Sequence, residues 1–97
     1  MAADGWYSEQ VLAQALRQTL RHTLSLEPMY RNPHVIHEGG VLGALINKHN
    51  THWIALKKVE GNIWLLDSLD ATPRTLTEEQ YLTFINTFQH SYPVRRL

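Results

Sequence analysis

The sequence predicts an α+β fold in which a mainly antiparallel sheet is packed by two helices. Two stretches of helical periodicity lie near the two ends of the chain, and two adjacent strands joined by a tight turn lie between them. The length of 97 residues suits one domain, which we assign to residues 7–97. Residues 1–6 are expected to be disordered or extended.

The first half of the chain predicts one helix, one short strand and a long loop. Apolar residues recur at helical spacing over residues 8–21. The spacing then changes to alternation over residues 23–27, which predicts a short strand that ends before Pro28. Residues 28–40 hold two prolines and two glycines and are predicted to form a loop. Residues 41–46 are either a buried strand or one or two turns of helix, and periodicity does not decide between them.

The clearest strands cover residues 52–59 and 62–67. The two residues between them, Glu60 and Gly61, form a tight hairpin turn, in which glycine supplies a positive φ. A two-residue turn fixes the register of the strand pair, whereas a bulged turn would shift it by one residue.

The register of the two-residue turn brings a histidine and a carboxylate together. Asp67 is then opposite Ile54, and His52 is its diagonal neighbour on the same face of the sheet. Diagonal neighbours have Cα atoms ~7–8 Å apart, within reach of an imidazole and a carboxylate. Such a pair is the base-and-orienter half of a cysteine- or serine-type hydrolase site. An ordinary cross-strand polar pair is the alternative interpretation.

The last third of the chain predicts a turn, a helix and a final strand. Residues 70–73 have turn composition. Thr77 is the predicted N-cap of the helix, with Gln80 completing a capping box, and the helix is expected to end at Ser91. Residues 92–97 then return as a strand. Four apolar side chains of the second hairpin strand and this helix are expected in the core: Trp64, Leu66, Leu82 and Ile85.

The composition excludes several classes of function. Nine basic and nine acidic side chains give a formal charge of zero, without the electrostatic footprint of a nucleic-acid-binding protein. Because the chain has no cysteine, it can form no disulfide, no thiolate metal site and no cysteine nucleophile of its own. No apolar stretch has membrane-spanning length, and the first residues are not a secretory signal, which favours an intracellular protein of unknown compartment. No cofactor is predicted.

Two pairs of histidines have a spacing that some metal sites use. His34 and His37 are three positions apart, and so are His49 and His52. Neither pair is accompanied by a pattern of carboxylates, so no metal site is predicted.

Residues 52–69 resemble the Josephin domain, the papain-like deubiquitinase module of ataxin-type proteins. That family has a His-Trp pair at the start of an aliphatic and basic strand. A short turn and an aromatic residue follow, and then Asn or Asp before Ser-Leu. Here the pair is His52 and Trp53, and Asp67 precedes the Ser-Leu. The resemblance extends over residues 7–97.

The resemblance implies roles for two residues. His52 matches the catalytic histidine of the family, and Asp67 matches the residue that orients it. The nucleophilic cysteine and an oxyanion-stabilising glutamine of the family come from an N-terminal segment, to which nothing in this sequence corresponds. The chain is therefore expected to be a truncated, non-catalytic Josephin-like domain, a pseudo-deubiquitinase in which this pair is vestigial. It would act by protein–protein interaction as a small subunit of a larger assembly.

The resemblance also implies a partner. The missing segment would leave an apolar face exposed, and a partner protein is expected to cover it over ~800 Å² on each side. Ubiquitin is the partner that the family suggests. Neither nucleic acid nor insertion into a membrane is expected.

Two alternatives remain open. In the first, the chain is the part that bears His52 and Asp67 in a split ubiquitin-specific cysteine protease, whose cysteine comes from another chain. In the second, it is a small scaffold protein that shares only the hairpin pattern. The SUMO-protease group also has His-Trp and Asp-Ser motifs, but its cysteine follows the aspartate, and no cysteine follows Asp67 here, so the Josephin pattern fits better.

Overall fold

The computed structural model describes residues 14, 15, 17, 18, 21–48, 52–67 and 72–96. Most of these residues form a six-stranded antiparallel sheet with the helix Glu78–Thr87 packed on it, and the predicted α+β fold is confirmed. The elements are β1 (His22–Leu24), 3₁₀ turns at Met29–Arg31 and Pro33–His37, β2 (Val41–Lys48), β3 (His52–Val59), β4 (Asn62–Leu66), β5 (Arg74–Leu76), α1 (Glu78–Thr87) and β6 (Ser91–Arg96). The order of strands in the sheet is β1-β6-β2-β3-β4-β5.

The predicted N-terminal helix is described in part. Residues 14, 15, 17 and 18 are helical and exposed. Arg21 has a φ of 55°, the left-handed conformation in which many helices end, and residue 21 is where the predicted helix was expected to end. The predicted extended segment 1–6 lies outside the described residues.

The central hairpin has the predicted turn and register. Glu60 and Gly61 have φ of 51° and 82°, the two positive values that a type I′ turn requires. Val59 pairs with Asn62, and Ala55 pairs with Leu66. The bulged alternative is therefore wrong.

The core lies between the sheet and α1, and three of the four predicted core side chains are not in it. Ile85 is 1% exposed, but Leu82 is 36% exposed on the outer side of the helix. On β4, Ile63 and Leu65 face α1 and are buried, whereas the predicted Trp64 and Leu66 lie on the other face and are half-buried. The prediction failed because all four consecutive β4 residues are apolar, so alternation could not choose the face.

The segment between β1 and β2, which was predicted to be an irregular loop, has regular structure. It contains the two 3₁₀ turns, and Lys58 donates hydrogen bonds to the carbonyl oxygens of Ile36 and Glu38, both at 2.8 Å. The Tyr81 hydroxyl donates to the Pro33 carbonyl at 2.8 Å. Val35 and Ile36 of the second turn are buried in the same cluster as Ile85, so these bonds hold the loop against the core.

The open choice for residues 41–46 resolves as a strand. They belong to β2, the strand between β6 and β3. Gly43 lies just after a bulge, where a Cβ atom would overlap the carbonyl oxygen of Leu56 on β3. The close approach of these two strands therefore requires glycine.

Helix α1 begins as predicted and ends earlier. The Thr77 hydroxyl accepts a hydrogen bond from the Gln80 N–H, and the Gln80 side chain accepts one from the Thr77 N–H, which completes the capping box. The helix ends at Thr87, and Ser91 begins β6.

Sequence reasoning missed β5, which has only three residues. Of the predicted turn at 70–73, residues 70 and 71 lie outside the described part of the chain.

Candidate functional site

The predicted histidine and carboxylate are neighbours in space. His52 is the first residue of β3, and Asp67 follows the last residue of β4. The hairpin register extends to place them diagonally on one face. The Nε2 atom of His52 lies 3.5 Å from an Oδ1 of Asp67. The proximity predicted from the turn is confirmed, whereas the catalytic role that the resemblance implies stays a prediction.

This pair lies on the face of the sheet that α1 covers. His52 shares its face with Ile54 and Leu56, and Asp67 shares its face with Leu65, all three of which are core residues. The side chains of His52 and Asp67 are 25% and 10% exposed. The pair is thus a partly desolvated extension of the core at one end of the sheet, where charges interact more strongly than in bulk water.

The geometry assigns the two ring nitrogens of His52 different roles. The carboxylate of Asp67 accepts hydrogen bonds only, so the tautomer that suits this contact has its hydrogen on Nε2, the nitrogen that faces the carboxylate. In that neutral tautomer the lone pair is on Nδ1. The separation of 3.5 Å is longer than a charge-assisted hydrogen bond of ~2.8 Å, so the two side chains are in polar contact without a short hydrogen bond.

A lysine lies beside the pair. Lys48 at the end of β2 is opposite His52, and its ammonium group lies 5.5 Å from the centre of the Phe88 ring at the end of α1. Sequence reasoning missed Lys48 because the strand assignment of residues 41–46 was open. A strand through residue 48 and a short connection to residue 52 would have placed the lysine there.

The described residues show no metal centre. No group of three or more His, Asp or Glu side chains among them could hold an ion. His34 and His37, whose spacing some metal sites use, are both exposed, and His37 contacts the carboxylate of Glu78 at 3.0 Å. His49 lies outside the described residues. Within the described part of the chain, no helix has both the length and the apolar character to cross a membrane.

The arrangement can accept and orient a proton but supplies no strong nucleophile. A histidine held by a carboxylate is the acid–base half of a nucleophilic hydrolase site. A cysteine-type reaction also needs a thiolate, and none of these 97 residues is cysteine.

Comparison with known proteins identifies the family. The family model described as Josephin matches residues 1–93. A Josephin-like protein of Drosophila melanogaster is 29% identical over 100 aligned residues, which cover 86% of this chain and 45% of the relative. The chain thus spans less than half the length of that relative. The match over nearly all of the chain excludes the scaffold alternative, and this chain belongs to the Josephin family.

Proposed function

We propose that this chain is a Josephin-like domain that binds other proteins and that its own residues do not hydrolyse ubiquitin conjugates. The proposal rests on one observation: Nε2 of His52 lies 3.5 Å from Oδ1 of Asp67, but none of the 97 residues is a cysteine that this pair could activate. A base and its orienter activate a nucleophile but do not replace it.

The described serines do not supply the nucleophile. Ser91 is fully buried on β6, opposite Ile46, so β2 separates it from the strand that bears His52. Two strand spacings amount to roughly 9–10 Å, well beyond hydrogen-bonding distance. Ser25 follows β1, which is one strand farther away at the edge of the sheet.

The face of the sheet away from α1 is the surface that we propose for protein contact. Leu24, Tyr92 and Val94 are buried on this face, and Leu45 and Trp53 pack against them without being fully buried. Trp64 and Leu66 continue the same face on β4 and are half-buried. Half-buried tryptophan and leucine side chains leave apolar area for a partner, and tryptophan is enriched at the centres of protein interfaces. Ubiquitin is the partner that the family relationship favours, and a larger assembly is the proposed setting.

Titration of the ¹⁵N-labelled chain with ubiquitin tests this role. We expect saturable shifts of backbone amides on β3 and β4, and weaker binding by Leu66→Glu, which places a charge on the proposed face. Leu82→Glu is the matched control, because Leu82 is exposed on the opposite side of the molecule. If ubiquitin at millimolar concentration shifts no amide, or if both variants bind like the unmodified chain, the proposed contact is wrong.

A second function is favoured by the geometry of the histidine. The Asp67 carboxylate faces Nε2 of His52, and the tautomer that suits this contact keeps the lone pair on Nδ1, as a general base requires. We therefore also consider that a cysteine from polypeptide outside these 97 residues completes the site. The test is a fluorogenic ubiquitin substrate offered to the native complex purified through this chain. If the complex releases the fluorophore and both His52→Ala and Asp67→Ala abolish that release, this function is established. If the complex releases no fluorophore, this function is excluded.

A further inference from the structure

A groove of about 600 Å³ lies between β5 and α1, apart from the His52–Asp67 pair. Its walls include three half-buried apolar side chains that pack against the core, Leu76, Phe84 and Phe88. Exposed threonines, among them Thr75 and Thr83, line its rim. An apolar floor with polar groups at the rim, on this scale of volume, is typical of sites that bind a ligand.

The backbone beside the groove has free hydrogen-bonding groups. In a two-residue hairpin the residues next to the turn, here Val59 and Asn62, form a hydrogen-bonded pair. Along antiparallel strands such pairs alternate with pairs that are not hydrogen-bonded. Lys57 and Trp64 therefore form the next hydrogen-bonded pair, and Trp64 directs its N–H and C=O toward Lys57. Trp64 is also opposite Thr75, and that pair is therefore not hydrogen-bonded. The N–H and C=O of Thr75 consequently point away from the sheet. Because β5 is the last strand of the described sheet, these groups face the open edge.

The neighbouring residues limit this edge to one pairing position. Pro73 precedes β5 and has no N–H to donate. The N–H of Thr77 is used by the Gln80 side chain in the capping box, at 2.9 Å. An added strand can therefore exchange a pair of hydrogen bonds with Thr75 only, which fixes its register.

The charges at the groove give the added strand a direction. Arg74 at the start of β5 and Glu79 in the first turn of α1 are the charged side chains that line it, and both are exposed. A strand that runs antiparallel to β5 begins near Glu79 and ends near Arg74. A basic residue early in that strand and an acidic residue late in it would complement both charges.

We propose that this groove binds an extended segment of a partner protein, which adds antiparallel to β5 and pairs its backbone with Thr75. The residues on either side of the paired one point to the face of α1 and place apolar side chains on Leu76, Phe84 and Phe88. This inference rests on the proposed role in protein contact and adds a second contact surface to it.

A designed peptide tests the proposal. The probe is acetyl-Lys-Ser-Leu-Thr-Leu-Ser-Glu-amide, in which the central threonine is to pair with Thr75 and both leucines face the groove. We expect the ¹⁵N-labelled chain to show saturable shifts of the Thr75 amide and of α1 amides near Phe84. The same peptide with an N-methyl group on its central threonine should bind about threefold to tenfold more weakly, the effect of one lost hydrogen bond.

Variants of the protein make the test specific. Thr75→Pro removes the outward N–H and should weaken binding of the probe. Thr75→Val retains this N–H and should bind the probe normally. Thr83→Trp fills the groove from its rim and should abolish binding, and Asn86→Trp on the same helix is the matched control, because Asn86 does not line the groove. Thermal melts of all four variants verify that each is folded.

Three results would overturn the proposal: no shift of the Thr75 amide at millimolar probe, equal affinity for the N-methylated peptide, or full binding by Thr83→Trp. A parallel titration with ubiquitin separates this inference from the proposed function. Ubiquitin binding on β3 and β4 without peptide binding rejects the groove alone. Peptide binding without ubiquitin binding rejects the ubiquitin contact and retains the groove.

Discussion

Replacement of Gly43 by alanine tests how closely β2 packs against β3, the strand that bears His52. A Cβ atom at this position would overlap the Leu56 carbonyl oxygen and lie 3.0 Å from the Leu56 carbonyl carbon and 3.1 Å from the Lys57 Cα. All of these atoms belong to the backbone of β3. A flexible side chain could turn aside, but here β2 and β3 must separate.

The expected loss of stability follows from two opposing effects. Overpacking of a core costs ~1–3 kcal/mol, and contact with backbone places Gly43→Ala near the upper value. Alanine restricts the unfolded chain more than glycine does, which offsets ~0.5–1 kcal/mol. The net loss is about 2 kcal/mol out of a total of ~5–15 kcal/mol, and it should lower the Tm by about 8–16 °C.

Urea and thermal unfolding, followed by circular dichroism and tryptophan fluorescence, measure this loss. Gly40→Ala is the matched control, because no atom lies within 4 Å of the Cβ that it would add. We expect that control to stay within ~0.5 kcal/mol of the unmodified chain. A Gly43→Ala variant as stable as the control would show that β2 and β3 are not in the described close contact.

Two further predictions concern the packing of α1. Burial raises the pKa of the Tyr81 hydroxyl, and Glu78 raises it further. The unfolded state therefore binds fewer protons than the folded state above about pH 10, and stability should fall as the pH rises. Tyr81→Phe should lower the free energy of unfolding by ~1 kcal/mol at pH 7, because the hydrogen bond to Pro33 is lost. In urea unfolding at pH 9–11.5, the stability of this variant should fall less with rising pH than that of the unmodified chain. Ile85→Ala should cost ~2–5 kcal/mol and Leu82→Ala less than ~0.5 kcal/mol, and equal losses in unfolding experiments would contradict the assigned helix face.

The features that the sequence predicted correctly depend on local signals. Positive φ at Gly61 and a two-residue turn set the register of the hairpin, and that register alone brings His52 and Asp67 together. The start of α1 was predicted because Thr77 and Gln80 satisfy each other within one turn of helix. Neither feature needs information about the rest of the fold.

The features that were missed depend on distant contacts. The face of β4 is decided by where α1 packs, and the apolar run around Trp64 does not encode it. The 3₁₀ turns of the β1–β2 loop receive hydrogen bonds from Lys58 and Tyr81, which are more than twenty residues away. The three residues of β5 are too few to show alternation, and they form a strand because β4 offers them an edge.

Hydrolysis of a fluorogenic ubiquitin substrate by the purified 97-residue chain tests the central claim most directly. The His52–Asp67 pair has the geometry of a base and its orienter, and the chain has no cysteine for the base to activate. We predict that the chain releases fluorophore no faster than buffer does and that His52→Ala behaves identically. Release by the unmodified chain that disappears in His52→Ala would contradict the account, because a nucleophile within these residues would then be at work.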